Sequence, residues 1–179
     1  GINEICQAAG ISNGALYKYF ENKEGLFVTV ARRTMDLLLA ETGNMTAVQA
    51  DFWEVLERIL ERVVPFVSTY RDYFILYMDL GSPCMDALAS RLTDDFERQS
   101  FDFFYQIIES ARDRGEIRKG IATETAAYLI DNHLMLFAFS CVSEHYNRRF
   151  HQYFGNGMTQ LHADRKIERI MRSFRQLLG

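Results

Sequence analysis

Residues 5–26 read Ile5-Cys6-Gln7-Ala8-Ala9-Gly10-Ile11-Ser12-Asn13-Gly14-Ala15-Leu16-Tyr17-Lys18-Tyr19-Phe20-Glu21-Asn22-Lys23-Glu24-Gly25-Leu26. Gly10 is free to take the left-handed conformation that ends a helix, and Ser12 carries a hydroxyl able to cap the next one. The stretch therefore predicts a helix over 2–9, a tight turn at Ala9-Gly10-Ile11-Ser12, a second helix over 13–19 and a long helix over 22–42. A short helix, a glycine turn and another short helix form a helix-turn-helix, whose second helix enters the DNA major groove in proteins that read DNA. Spacing alone does not separate that arrangement from any other helical hairpin.

Beyond this segment the apolar residues keep a helical period. Val55, Ile59, Val63 and Val67 form a stripe at spacing four, with Phe52, Leu56 and Leu60 beside it. Leu88, Leu92 and Phe96 begin a second stripe, resumed by Phe103, Ile107 and Ala111, and Ala126, Ile130, Leu134, Ala138 and Val142 make a third. In the last stripe Ile167, Ile170, Met171, Phe174, Leu177 and Leu178 lie mostly opposite Arg165, Lys166, Arg169, Arg172 and Arg175. The fold class read from these periods is all-α, with further helices over 47–69, 71–80, 83–114, 123–153 and 164–178. Thr46-Ala47-Val48-Gln49 has capping-box spacing, Ser82-Pro83 places a cap before a first-turn proline, and Gly155-Asn156-Gly157 breaks the chain. Pro65 falls inside an apolar pattern and is expected to kink or split its helix near Val64.

Residues 5–26 also closely resemble the DNA-binding signature of the TetR family of bacterial transcriptional regulators. The matches are Ile5, Ala9-Gly10, Ser12, Gly14, Leu16-Tyr17, Tyr19-Phe20, Lys23-Glu24 and Leu26; Cys6 stands where the family usually has a small alanine. The resemblance implies a helix-turn-helix domain with its connecting helix over 1–40 and a larger helical ligand-binding and dimerisation domain over 41–179. It implies operator DNA as a partner, met by Ser12, Asn13, Gly14 and Ala15 at the start of the recognition helix. Tyr17, Lys18 and Tyr19 offer two hydroxyls and an ammonium to phosphates, and Lys23 stands where the next helix's N-terminus adds its own attraction. Tyr17 and Tyr19 equally fit partly packed amphipathic positions. The resemblance implies a further helix ahead of the motif, so this chain is expected to lack its front.

TetR-like proteins hold a small-molecule pocket in the helical domain. Aromatic and polar residues among the apolar stripes suit one lined by Phe66, Tyr70, Phe74, Tyr77, Phe103, Phe104, His133 and Phe137, taking a small hydrophobic or aromatic effector. The same stripes fit an ordinary core, and His133 beside Asp131 fits a satisfied core histidine. The helix from Thr123 is apolar nearly all round between Leu134 and Val142, and the last helix has a wide apolar stripe. A helix buried on two sides needs another partner, so a homodimer through the last two helices is expected. The function read from all this is a ligand-responsive repressor; the alternative is a helical small-molecule or haem carrier using His133 or His145.

Composition bounds these readings. The 179 residues hold 20 Lys+Arg and 24 Asp+Glu, a net charge of −4, which excludes a generic polyanion binder. Within residues 1–40, however, Lys18, Lys23, Arg32 and Arg33 balance Glu4, Glu21, Glu24 and Asp36, so the acidity lies in the larger domain. Cys6, Cys84 and Cys141 are odd in number and widely spaced, as in a reduced cytoplasmic protein. The opening shows no signal peptide, and the longest apolar run, Leu134 to Phe139, is too short to span a bilayer. No HExxH, phosphate loop or paired-carboxylate pattern occurs, and a Cys141–His145 pair sits in an apolar stretch where a thiol packs as a small hydrophobe. No catalytic residue, metal or cofactor is expected.

Overall fold

Helices form where the stripes place them, and capping side chains decide where several begin and end. A computed structural model of the chain describes residues 1–43, 51–155 and 162–179. Along them run α1 (Ile2–Ala9), α2 (Asn13–Tyr17), α3 (Lys23–Gly43), α4 (Phe52–Thr69), α5 (Arg71–Leu80), α6 (Asp86–Asp113), α7 (Thr123–Val142), α8 (Glu144–Phe154) and α9 (Ala163–Leu178). A 3₁₀ turn, Pro83–Met85, leads into α6. Among the described residues there is no strand, so the fold is all-α.

The N-terminal unit follows its local chemistry. Gly10 closes α1 at φ 65°, and the Ile11 N–H reaches the Cys6 carbonyl at 3.0 Å. Ser12 Oγ accepts the Ala15 N–H at 3.1 Å and starts α2, while Asn22 Oδ1 accepts the Gly25 N–H at 2.8 Å and starts α3. Cys6 and Leu16 are buried between these short helices. Further along, α3 docks on α5 and α6 through Ala31, Met35, Leu80 and Leu92, with Phe27, Val28, Tyr77 and Phe96 packed around them.

In the larger unit α4, α6, α7 and α9 enclose the main core, which includes Phe52, Leu56, Leu60, Ile108, Ile130, Phe137 and Phe174. Each such side chain, fully buried, contributes about 1.5–3 kcal/mol before chain entropy is subtracted. The start of α4 is held from two directions: Asp51 Oδ1 accepts the Trp53 N–H at 2.8 Å, and Glu116 Oε2 accepts the Phe52 N–H at 2.9 Å. This cap puts the helix start at Phe52 rather than 47; Thr46–Gln49 lies outside the described residues, as does most of Gly155-Asn156-Gly157. Pro65 does not split α4, which continues to Thr69. Pro65 and Glu61 both lie on the exposed side, where the carbonyl left without a helix donor is accessible to water.

The expected helix over 123–153 is two helices. Ser143 is extended (φ −112°, ψ 124°), which ends α7 and frees the Ser140 carbonyl from a continuing helix bond. The buried Lys166 of α9 takes it up: its Nζ donates to Ser140 O at 3.2 Å, Ser140 Oγ at 3.1 Å and Asn147 Oδ1 at 2.9 Å. An ammonium at a helix C-terminus also meets the favourable end of the helix dipole. Lys166 therefore does not belong to the solvated side of the last helix.

Two other expectations change with packing. Most of the apolar stripe of α9 (Ile167, Ile170, Met171, Phe174, Leu178) is buried against α4 and α7 of the same chain, while Leu177, expected in it, is exposed beside mainly charged residues. Most of the helix's apolar side is thus covered within one chain. By length and composition α7 is apolar enough to cross a membrane, but Ala126, Ile130, Leu134 and Phe137 are buried within the protein, as in a core helix.

Candidate functional site

The turn chemistry of residues 10–22 sets the geometry of the first candidate site. Because Ser12 caps α2, the helix presents Asn13, Gly14 and Tyr17 on the exposed side while Leu16 points into the small core. Asn13 is not free: its Nδ2 donates to Asn3 Oδ1 at 2.7 Å, tying α2 to α1. A Cβ at Gly14 would meet nothing closer than Ser12 Oγ at 4.0 Å, so this face of α2 is open. Ala15 is half-buried. The helix ends at Tyr17, two residues earlier than expected, and Lys18 and Tyr19 stand in the turn that follows. Tyr17 is 51% and Tyr19 82% exposed, so nothing within the chain packs either ring fully. Lys23, exposed, opens α3. Seven of the eight residues are exposed and Ala15 is half-buried, spread over the α2 cap, α2, its following turn and the start of α3.

The second candidate is a cavity of about 320 Å³ between α4, α5, α6 and α7. Phe66, Phe74, Tyr77, Phe103 and Phe104 line it, together with Phe96, Tyr128, Leu134, Met135 and Phe139. Three residues expected there lie elsewhere. Phe137 is wholly buried in the main core, because its position on α7 faces α4 and α9. His133 turns to Phe174 (5.4 Å between ring centroids), with Nδ1 2.6 Å from the Leu129 carbonyl. Tyr70, at the α4–α5 junction, stacks on Phe66 and Tyr73 behind the lining. His145, the other candidate haem ligand, packs edge-on to Tyr146 and does not reach the cavity.

The polar part of the lining was not foreseen. Arg62, Glu97, Ser100, Asp131 and Asn132 reach the cavity among the aromatics. Ser100 Oγ donates to Asp131 Oδ1 at 3.1 Å. Burial pushes the Asp131 carboxyl above its ordinary range, with the Ser100 hydrogen bond opposing the shift; burial and then the Asp131 charge raise Glu97. Burial, followed by Glu97 and Asp131, also raises the Tyr77 hydroxyl. The signal was spacing: Phe96, Ser100 and Phe103 share one side of α6, and Tyr128, Asp131, Asn132 and Met135 share one side of α7, so the polar residues keep the apolar register.

Tyr77 and Phe96 have a double position. Their rings meet at 5.8 Å as part of the cavity wall, and both pack against the cluster that Ala31 and Met35 of α3 form with Leu80 of α5 and Leu92 of α6. The cavity and the helix leading to the exposed residues of α2 therefore share a wall. Cys141 offers no nucleophile beside them: its thiol donates to the Phe137 carbonyl at 3.4 Å, and desolvation raises its pKa.

An N-terminal helix-turn-helix joined by one long helix to a cavity-bearing helical domain is an arrangement similar to that of TetR-type regulators. Residues 1–30 match the family model described as bacterial regulatory proteins, tetR family. YvdT, an uncharacterized HTH-type transcriptional regulator of Bacillus subtilis (strain 168), is 24% identical over 139 residues, covering 73% of this chain; the matched part spans 66% of YvdT, just under two thirds of its length. FadR, a transcriptional regulator from Bacillus subtilis solved in complex with stearoyl-CoA, superposes with a TM-score of 0.71 at 15% identity, covering 99% of this chain and 86% of FadR. A Clostridium perfringens protein assigned as a fatty acid metabolism regulator gives 0.70 at 16% identity, over 98% of this chain and 86% of that one. At these identities the two structures establish the fold.

Proposed function

We propose that the protein is a cytoplasmic repressor that binds operator DNA as a homodimer and is released by a small hydrophobic effector held in the α4–α7 cavity. The observation that carries the reading is the shared wall: Tyr77 and Phe96 line the cavity and pack against the cluster in which α3 meets α5 and α6. An effector that displaces these rings moves the surface on which α3 rests, and α3 leads directly to α1 and α2. Two recognition helices in a dimer fit successive major grooves only at one separation, so a small displacement suffices. A coupling of about 1–3 kcal/mol corresponds to an affinity change of about 5- to 150-fold.

The DNA-contacting group in this reading is Ser12, Asn13, Gly14, Ala15, Tyr17, Lys18, Tyr19 and Lys23. Tyr19 fits the role best, since an aromatic side chain 82% exposed has no packing reason to be there. The effector contacts are those of the observed lining, without Tyr70, His133 and Phe137. FadR's stearoyl-CoA makes long acyl compounds one class to assay. For dimerisation, Tyr128 and Leu136 on α7, Tyr153 on α8 and Leu177 on α9 are exposed apolar residues on the helices of the expected interface; sedimentation as a monomer at micromolar concentration would remove it.

A gel shift of the full-length protein on the DNA upstream of its own gene tests the whole proposal. Retarded DNA that is freed by a cavity ligand is the expected result. No retardation, or retardation that no bound ligand alters, would overturn it.

A further inference from the structure

The cavity has a charge pattern as well as a shape, and the pattern discriminates between ligands of equal size. Its walls are mainly aromatic, and a positive group within about 6 Å of a ring face is attracted by the ring's quadrupole. Glu97, an exposed residue, reaches the lining from α6, and half-buried Asp131 reaches it from α7. Among the described residues neither carboxylate has an ion-pair partner; Asp131 has only the Ser100 hydroxyl. The other titratable groups of the lining are Tyr77 from α5, Tyr128 from α7 and Arg62 from α4, the last exposed and already engaged. We infer that the effector is a lipophilic cation, an organic ammonium carrying an aromatic or alkyl body, preferred over neutral and anionic molecules of the same size.

The physical argument is one of compensation. Half-buried Asp131 loses hydration, and Glu97, more exposed, is partly desolvated and also feels the Asp131 charge, so both hold their protons more tightly than usual. A cationic head offsets both penalties at once and stacks on the rings, whereas a carboxylate or phosphate head adds like charge. The inference rests on reading the cavity as the effector site, and it separates this chain from FadR in the sign of the ligand's charge.

Three probes that share a phenyl-alkyl body test it: 6-phenylhexyltrimethylammonium, 6-phenylhexanol and 6-phenylhexanoate, titrated by calorimetry into the full-length protein and its variants. The ammonium is expected to bind about tenfold or more tighter than the alcohol, with the carboxylate weakest. Glu97→Gln and Asp131→Asn should each shrink the ammonium-to-alcohol ratio, and a ratio is insensitive to a general loosening of the cavity. Equal binding of ammonium and alcohol, tightest binding of the carboxylate, or a ratio unchanged in both variants would overturn the inference. Failure of all three probes to bind would overturn both the inference and the cavity as effector site. Selective ammonium binding without release of operator DNA would leave the inference standing and overturn the switch.

Discussion

Lys166 illustrates how a single side chain can be misplaced by its own chemistry. In the sequence it belongs to a basic face; in the fold it is buried and serves the carbonyl that α7 leaves open at Ser143. Lys166→Ala should lower stability by about 1–3 kcal/mol, because Ser140 O and Asn147 Oδ1 lose their donor, measured as a lower urea midpoint. Glu116 does comparable work at the other end of the bundle. The hydrogen bond from Arg114, helped by the Phe52 N–H, holds its carboxyl below the ordinary range despite partial burial. A depressed folded pKa stabilises at pH above the unfolded value, and the contribution is lost as pH falls through the folded one. Glu116→Gln should therefore cost about 1–2 kcal/mol at neutral pH, with the gap to the parent protein closing on acidification; a gap that persists below that range would refute the cap.

Among the elements, the helix-turn-helix was the most legible, because glycine, serine and asparagine act within three residues of where they sit. Gly10 is the sharpest case. A Cβ there would meet nothing within 4 Å, so substitution has only a backbone cost. Gly10→Ala should destabilise by about 1–2 kcal/mol through the left-handed φ of 65°, seen as a lower melting temperature and weaker operator binding together. Elements settled by distant partners were less legible. The start of α4 depends on Glu116, 64 residues away from Phe52, and the break between α7 and α8 is satisfied by Lys166. Neither partner is visible to a rule that looks three or four residues along the chain.

For the assembled protein the decisive feature is the wall formed by Tyr77 and Phe96. If effector and DNA are coupled through it, each must weaken the other's binding by the same factor. Operator DNA should thus lower effector affinity by the same about 5- to 150-fold by which effector lowers operator affinity, checked by paired titrations. Phe96→Ala should bring both factors towards one. Unequal factors at equilibrium would exclude a single coupled switch.

The all-α class, the helix-turn-helix and the resemblance to TetR regulators were written locally, in apolar period, in caps and in a dense run of side chains over residues 5–26. Five of the eight residues expected around a pocket do meet at the cavity, since an aromatic stripe marks which side of a helix is inward. Which inward residues face a void and which face another helix is settled only when α4, α5, α6, α7 and α9 pack together. Phe137 and His133 share α7 with Asp131 and Asn132, yet helix rotation sends the first pair towards the core and α9 and the second pair towards the cavity. One turn of a helix covers every direction, so only its neighbours decide which of them is a site.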